Sequence, residues 1–85
     1  VKIFGDVQGV GFRHATYFRA EKLGVKGWVR NNYQDGTVEA IFEGKDKSVD
    51  DMIEFCKRGP PGAYVEHIDI FPEEFKNEFK DFSIR

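Results

Sequence analysis

Between Gly5 and Asn31 the chain reads GDVQGVGFRHATYFRAEKLGVKGWVRN, and the order of elements in this stretch decides the fold. The apolar run that leads into it, Val1–Asp6, predicts a short strand that empties into a glycine-punctuated loop, Gly5–Gly11. From about Phe12 to Leu23, the residues Phe12, Thr16, Ala20 and Leu23 recur at helical spacing with Ala15 beside them, which marks one face of an α-helix. Gly24 is placed to close that helix. Val25–Asn31 then predicts a second strand, with Val25, Gly27 and Val29 on one face and Trp28 on the other. Strands joined through a helix in this way run parallel, so the loop after Asp6 and the residues around Asn31 should meet at one edge of the sheet.

Moving outward, Asn32–Gly36 reads as a hairpin loop through its Asp-Gly pair. Thr37–Glu43 alternates Val38, Ala40 and Phe42 against Glu39, Ile41 and Glu43, the pattern of a half-buried strand with a polar last partner. A second helix should follow, with Ser48 as N-cap and Val49, Met52, Ile53 and Cys56 as its core stripe. Asp50, Asp51 and Glu54 early and Lys57 and Arg58 late match the helix dipole, and Gly59-Pro60-Pro61-Gly62 ends the element. Ala63–Phe71 is strand-like, and Phe79–Ile84 adds a short final strand through Phe82 and Ile84. The order β-α-β-β-α-β with a short fifth strand predicts an α+β fold. Two helices cannot cover both faces of such a sheet, so they should pack on one face of an antiparallel sheet, the ferredoxin-like sandwich.

Length and composition agree with one domain spanning residues 1–85. Nine Phe and a single Leu favour strands and aromatic packing over a leucine-rich bundle. Thirteen basic and 15 acidic residues leave a net charge of −2 with the signs interspersed, which argues against a nucleic-acid partner. No apolar run is long enough for a membrane span or a signal peptide. The single cysteine, Cys56, excludes an internal disulfide and any cysteine-based zinc site. The chain begins inside an apolar run without an initiator Met, which reads as a first strand clipped at its start.

The chemistry concentrates at the shared edge. A glycine loop feeding a helix N-terminus turns backbone N–H groups toward an anion, where the first helical turn adds unsatisfied donors and a positive dipole end. Arg13, in that first turn, adds a permanently charged planar fork suited to phosphate oxygens. The spacing is not that of a nucleotide-binding phosphate loop, and the chain is too short for a nucleotide-binding α/β domain. Asn31 ends the second strand at the same edge; it can serve as a turn-former or as an amide that orients a water.

Gly5-Asp6-Val7-Gln8-Gly9-Val10-Gly11-Phe12-Arg13 resembles the first signature of the acylphosphatase family, and Gly27-Trp28-Val29-Arg30-Asn31 with Asp35-Gly36-Thr37-Val38-Glu39 resembles the second. Gly59-Pro60-Pro61-Gly62-Ala63-Tyr64-Val65 and Phe82-Ser83-Ile84-Arg85 resemble later landmarks, so the likeness runs through essentially the whole chain in order. It implies the ferredoxin-like fold and the hydrolysis of small acyl phosphates to a carboxylate and inorganic phosphate, without metal or cofactor. It also implies a phosphate-binding loop of Gln8, Gly9, Val10, Gly11, Phe12 and Arg13, with Arg13 the phosphate-binding arginine and Asn31 the water-orienting asparagine. A cytoplasmic monomer without nucleic-acid or membrane partners is the expectation that goes with it. A domain of a larger carbamoyl-phosphate-handling protein, such as a hydrogenase maturation factor, and a non-catalytic anion-binding module are the alternatives.

Two departures bear on the site. Four residues separate Asn31 from Gly36, one more than the family pattern, so counting forward from Gly27-Trp28 nominates Asn31 and counting back from Gly36 nominates Asn32. A hairpin loop absorbs an insertion more readily than a strand, which favours Asn31. Asp6 stands where relatives often carry a basic residue and would weaken anion binding if it faced the cradle. Elsewhere the signals are structural: His14 and His67 are isolated, Cys56 sits on an apolar stripe as an inert thiol, Trp28 packs, and Glu73–Lys80 is a solvated segment.

Overall fold

The computed structural model describes residues 1–73 and 76–85. The elements follow in the order β1 (Lys2–Asp6), α1 (Phe12–Leu23), β2 (Lys26–Asn32), β3 (Thr37–Glu43), α2 (Asp46–Arg58), β4 (Tyr64–Asp69) and β5 (Phe82–Ile84). They build one five-stranded sheet in the order β4-β1-β3-β2-β5. Because β3 lies between β1 and β2 and is antiparallel to both, β1 and β2 run parallel and deliver their C-terminal ends to the same edge. The expected geometry of the opening stretch therefore holds, and α1 has the bounds its periodicity predicts.

The core lies between the helices and the sheet face carrying Ile3, Val29, Val38 and Ala40. From α1 it receives Phe12, Thr16 and Ala20, all fully buried. The Thr16 hydroxyl donates to the Phe12 carbonyl at 2.8 Å, so this buried polar group is satisfied within its own helix. Across the sheet, Ile68, Ile3, Val38 and Asn31 form one row of directly opposed residues. Since Ile3 and Val38 are buried under the helices, Asn31 stands at the helix-side end of that row. Its neighbour Asn32, one residue on, faces the other side.

Gly27 marks a close approach within the sheet. Its φ is +132°, and a Cβ there would stand 1.9 Å from the Ile41 carbonyl oxygen on β3.

Four expectations need correction. The sheet is mixed: β5 pairs parallel with β2 instead of extending an antiparallel set. After β4 the chain crosses past the ends of β1 and β3 to the far edge, where it arrives beside the start of β2 and runs in the same direction. Glu43 is buried at 9% exposure and is not a solvated polar partner. Its carboxylate accepts from the backbone N–H groups of Glu78 and Phe79 at 3.1 and 3.3 Å, tying the crossover to the end of β3. The second helix begins at Asp46 with Lys45 as N-cap and no side-chain capping bond, so Ser48 lies inside the first turn. Asp46 supplies the acidic complement to the dipole there. The buried stripe of α2 is Met52, Phe55 and Cys56, with Val49 and Ile53 only half-buried. Phe55 turns inward because its ring packs against Phe12 of α1 at 6.1 Å between centroids.

Cys56 is fully buried, and desolvation pushes its thiol up to about 12, as expected of an inert core cysteine. Trp28 is half-buried on the helix-free face, between the guanidinium groups of Arg30 and Arg85 at 4.9 and 5.0 Å from its ring. In the segment Glu73–Lys80, Glu73, Lys76, Asn77, Glu78 and Lys80 are exposed, while Glu74 and Phe75 lie outside the described residues.

On the helix-free face Lys2 pairs with Asp35 at 2.8 Å, and Asp35 also accepts from the Thr37 hydroxyl at 2.6 Å. The Lys2 ammonium first, and Thr37 second, hold the Asp35 carboxyl down to about 2 from its ordinary 3.8. The folded state therefore binds fewer protons than the unfolded chain in this window, so stability rises with pH through it. The contribution of Asp35 is present above about pH 4 and lost as the pH falls toward 2. The difference in urea midpoint between the wild type and Asp35→Asn is expected to shrink on going from about pH 5 to about pH 2. A constant difference across that range would show that the pair does not couple folding to protons.

Candidate active site

Gly9 and Gly11 take left-handed backbone conformations, with φ of +74° and +77°, which bends the chain between β1 and α1 into a concave loop. Gly11 is also the N-cap of α1, and it offers no side chain to satisfy the first helical donors. The first helical bond into the loop runs from the Ala15 N–H to the Gly11 carbonyl at 3.0 Å. Among the described residues, no hydrogen bond takes the N–H groups of Gly9, Val10, Gly11, Phe12 or Arg13. No acidic residue lies in the first turn of α1, and Arg13 stands there half-buried. A cation at a helix N-terminus opposes the dipole, a local conflict that a bound anion would relieve.

A small pocket of about 120 Å³ opens at this point. Val7, Gly9, Gly11, Phe12, Arg13 and His14 line it from the loop and α1, and Asn31 lines it from the end of β2. Of the residues expected at the site, Arg13 and Asn31 thus meet in one cavity, although Asn31 lies 18 positions further along the chain. Phe12 is fully buried and forms the floor as a core residue. Val10 is half-buried and packs against the core. The side chain of Gln8 does not line the pocket; it donates instead to the carbonyls of Asn32 and Thr37 at 3.0 and 2.9 Å. Asp6 is exposed and is not a lining residue, so its charge does not enter the pocket wall.

The two hairpin asparagines have different surroundings. The Asn31 amide donates to the Tyr33 hydroxyl at 3.4 Å and retains its carbonyl oxygen for another donor. Asn32 is engaged at both ends of its amide: Nδ2 donates to Glu39 at 3.0 Å, and Oδ1 accepts from the Gln34 N–H at 3.2 Å. Tyr33 and Val7 join the site as neighbours that the sequence does not announce, save for the extra residue in the hairpin that bears Tyr33. His14 is exposed at the rim, and His67 lies in β4, paired with Asp69 at 2.6 Å.

Among the described residues, no group of three His, Cys, Asp or Glu side chains is arranged to hold a metal ion, and no helix is long and apolar enough to cross a membrane.

A family model described as Acylphosphatase matches residues 1–84. A curated protein named Acylphosphatase from Pyrobaculum calidifontis is 52% identical over 80 residues, which is 94% of this chain and 73% of that protein. The crystal structure of acylphosphatase from Bacillus subtilis superimposes with a TM-score of 0.92 at 33% identity, covering 99% of this chain and 92% of the other. Full-length HypF in its phosphate- and nucleotide-bound form is similar over 99% of this chain but only 11% of its own length, with a TM-score of 0.80 and 34% identity.

Proposed function

This chain belongs to the acylphosphatase family and is a hydrolase of acyl phosphates; we propose that its loop from Gln8 to Arg13 holds the phosphoryl group and that Asn31 orients the attacking water. The observation that carries the assignment is the convergence of uncommitted loop N–H groups, the Arg13 guanidinium and the Asn31 amide on one pocket of about 120 Å³.

The leaving group of an acyl phosphate is a carboxylate, whose conjugate acid has a pKa of about 4, so its departure needs no strong general acid. The protein then has to neutralise the phosphoryl oxygens and place the water. The backbone N–H groups and the Arg13 fork hold the equatorial oxygens and stabilise the charge that develops on them. The Asn31 carbonyl oxygen accepts a hydrogen bond from the water and fixes it in line with the bond that breaks. A new P–O bond forms to the water oxygen as the P–O bond to the acyl group breaks. The water protons pass to the phosphate product and to solvent. The scheme uses no side-chain nucleophile, and none of its steps calls for a metal or cofactor.

Residues 1–85 are read as one acylphosphatase-like domain, monomeric and cytoplasmic, acting on a small molecule rather than on nucleic acid. The mixed-sign surface and the buried thiol of Cys56 support that reading. The likeness to part of HypF favours a second reading, in which the same fold serves a larger carbamoyl-phosphate-handling protein. Comparing turnover of carbamoyl phosphate and benzoyl phosphate separates the two by substrate preference.

The assignment is tested by benzoyl phosphate hydrolysis in excess EDTA. Asn31→Ala is expected to lose about 10²–10³-fold in kcat, the usual effect of removing one transition-state contact, whereas Asn32→Ala should stay within about threefold of the wild type. The reverse pattern would move the water-orienting role to Asn32. An inactive, folded wild type would leave only an anion-binding module.

A further inference from the structure

We propose that Gln8 is a positioning residue whose carboxamide fixes the distance between the phosphate loop and the water-orienting Asn31. The inference rests on the catalytic reading given above. Both donors of the Gln8 amide are used, one on the Asn32 carbonyl at 3.0 Å and one on the Thr37 carbonyl at 2.9 Å. Asn32 and Thr37 oppose each other as the last pair of the β2–β3 ladder. The Asn32 carbonyl also accepts from the Gly36 N–H at 2.9 Å, so the clamp closes on the point where the hairpin turns.

Among the described residues, these are the only side-chain hydrogen bonds between the loop and the hairpin. The loop packs on the core through Val7, Val10 and Phe12, but it bends at two left-handed glycines and α1 has no side-chain cap, so the Gln8 amide is its polar tie to the end of β2. Asn31 precedes the clamped residue directly. In-line attack requires the water held by Asn31 to stand within near-attack range of the phosphorus held by the loop. A clamp one residue from Asn31 and one residue before Gly9 sets that separation without touching substrate. Consistently, the Gln8 side chain does not line the pocket.

Gln8→Met keeps the length of the side chain and removes both donors. Its kcat for benzoyl phosphate is expected to fall about tenfold or more, since a misplacement of ~1 Å is enough for a loss of that order. KM and the inhibition constant of inorganic phosphate should stay within about twofold, because Gln8 belongs to the phosphate loop through its backbone alone, and the loop's backbone donors and Arg13 remain. In an Asn31→Ala background the same change should cost less than about twofold, since there is no oriented water left to misplace. A wild-type kcat in Gln8→Met, a rise in the phosphate inhibition constant that accounts for the loss, or full additivity with Asn31→Ala would each overturn the proposal.

Should Gln8→Met not fold by circular dichroism, Gln8→Glu carries the test. An ionised carboxylate cannot donate to the two carbonyls, and facing them lifts its pKa above the ordinary value of about 4.3. Protonation returns one donor, so activity relative to the wild type should recover as the pH falls through that pKa. A flat ratio would refute the clamp. If instead Asn31→Ala itself turned over like the wild type, the catalytic reading would fail and take this inference with it.

Discussion

Arg13→Ala is expected to lower kcat/KM for benzoyl phosphate by about a thousandfold or more while leaving the fold at least as stable. Removing one preorganised donor aimed at developing charge costs about 10²–10³-fold, and the guanidinium supplies two donors and a full charge. The opposite sign in stability follows from the position of Arg13 in the first turn of α1, a helix with no acidic residue there to offset it. Deleting a cation at that end removes an unfavourable interaction of about 0.3–1 kcal/mol. Two measurements on one variant therefore move in opposite directions. Inorganic phosphate should raise the wild-type Tm by mass action and should not raise that of Arg13→Ala. Arg13→Lys is expected to recover little, because an ammonium cannot reproduce the two-pronged contact. Turnover of Arg13→Ala within about tenfold of the wild type would remove the arginine from the transition state.

Gly27→Ala is expected to be the most damaging single change to stability. The added Cβ would sit 1.9 Å from the Ile41 carbonyl oxygen and 2.8 Å from its carbonyl carbon. Both neighbours are backbone of the adjoining strand, so no side chain can swing aside. The φ of +132° is itself a conformation that L-residues avoid. Relief requires opening the β2–β3 ladder, which pairs seven residues from Lys26 to Asn32 and carries Asn31 near its end. A loss above about 3 kcal/mol follows, at the upper end of single-residue effects. For a domain of this size that corresponds to a fall in Tm of more than about 12 °C. Urea unfolding of the two proteins measures it; a loss below about 1 kcal/mol would mean that β2 shifts register or bends at little cost.

Much of this architecture is legible in the chain because the signals are local. Phe12, Thr16 and Ala20 mark the buried face of α1 at helical spacing, and Gly24 closes it within one residue. The strand–helix–strand order alone brings the loop and Asn31 to one edge, through the handedness and direction of the connection. What the chain does not announce depends on partners far away. The direction of β5 is set by a crossover that traverses the sheet, and three residues carry no directional signal. Glu43 reads only as the polar end of a half-buried strand because the donors that hold its buried carboxylate belong to Glu78 and Phe79, 35 and 36 positions later. Phe55 falls outside the predicted core stripe because its inward turn depends on the ring of Phe12. Gln8 enters the cradle reading through its backbone, whereas its side-chain amide spans 24 and 29 positions to reach the two hairpin carbonyls. Its motif marks the place of that residue but not which way the side chain turns.

The strand order also dictates a timetable for a ribosome making this chain. The first strand to leave is β1, yet its two neighbours in the sheet are β3 and β4, the latter complete only at Asp69. At synthesis rates of about 5–20 residues per second, β1 waits roughly 3–13 s for its last neighbour. Everything assigned to chemistry, from Gln8 to Thr37, emerges well before that moment, along with the hairpin that carries Asn31. The helix α2 and the strands β4 and β5, which bring Met52, Phe55, Cys56 and Phe82 to the buried core, come later. A nascent chain halted before β4 would thus hold the parts of the catalytic pocket without the architecture that keeps them in place, exposing β1 on one side. Rapid synthesis through β4 and β5, rather than slow passage through the first half, is what this order of strands rewards.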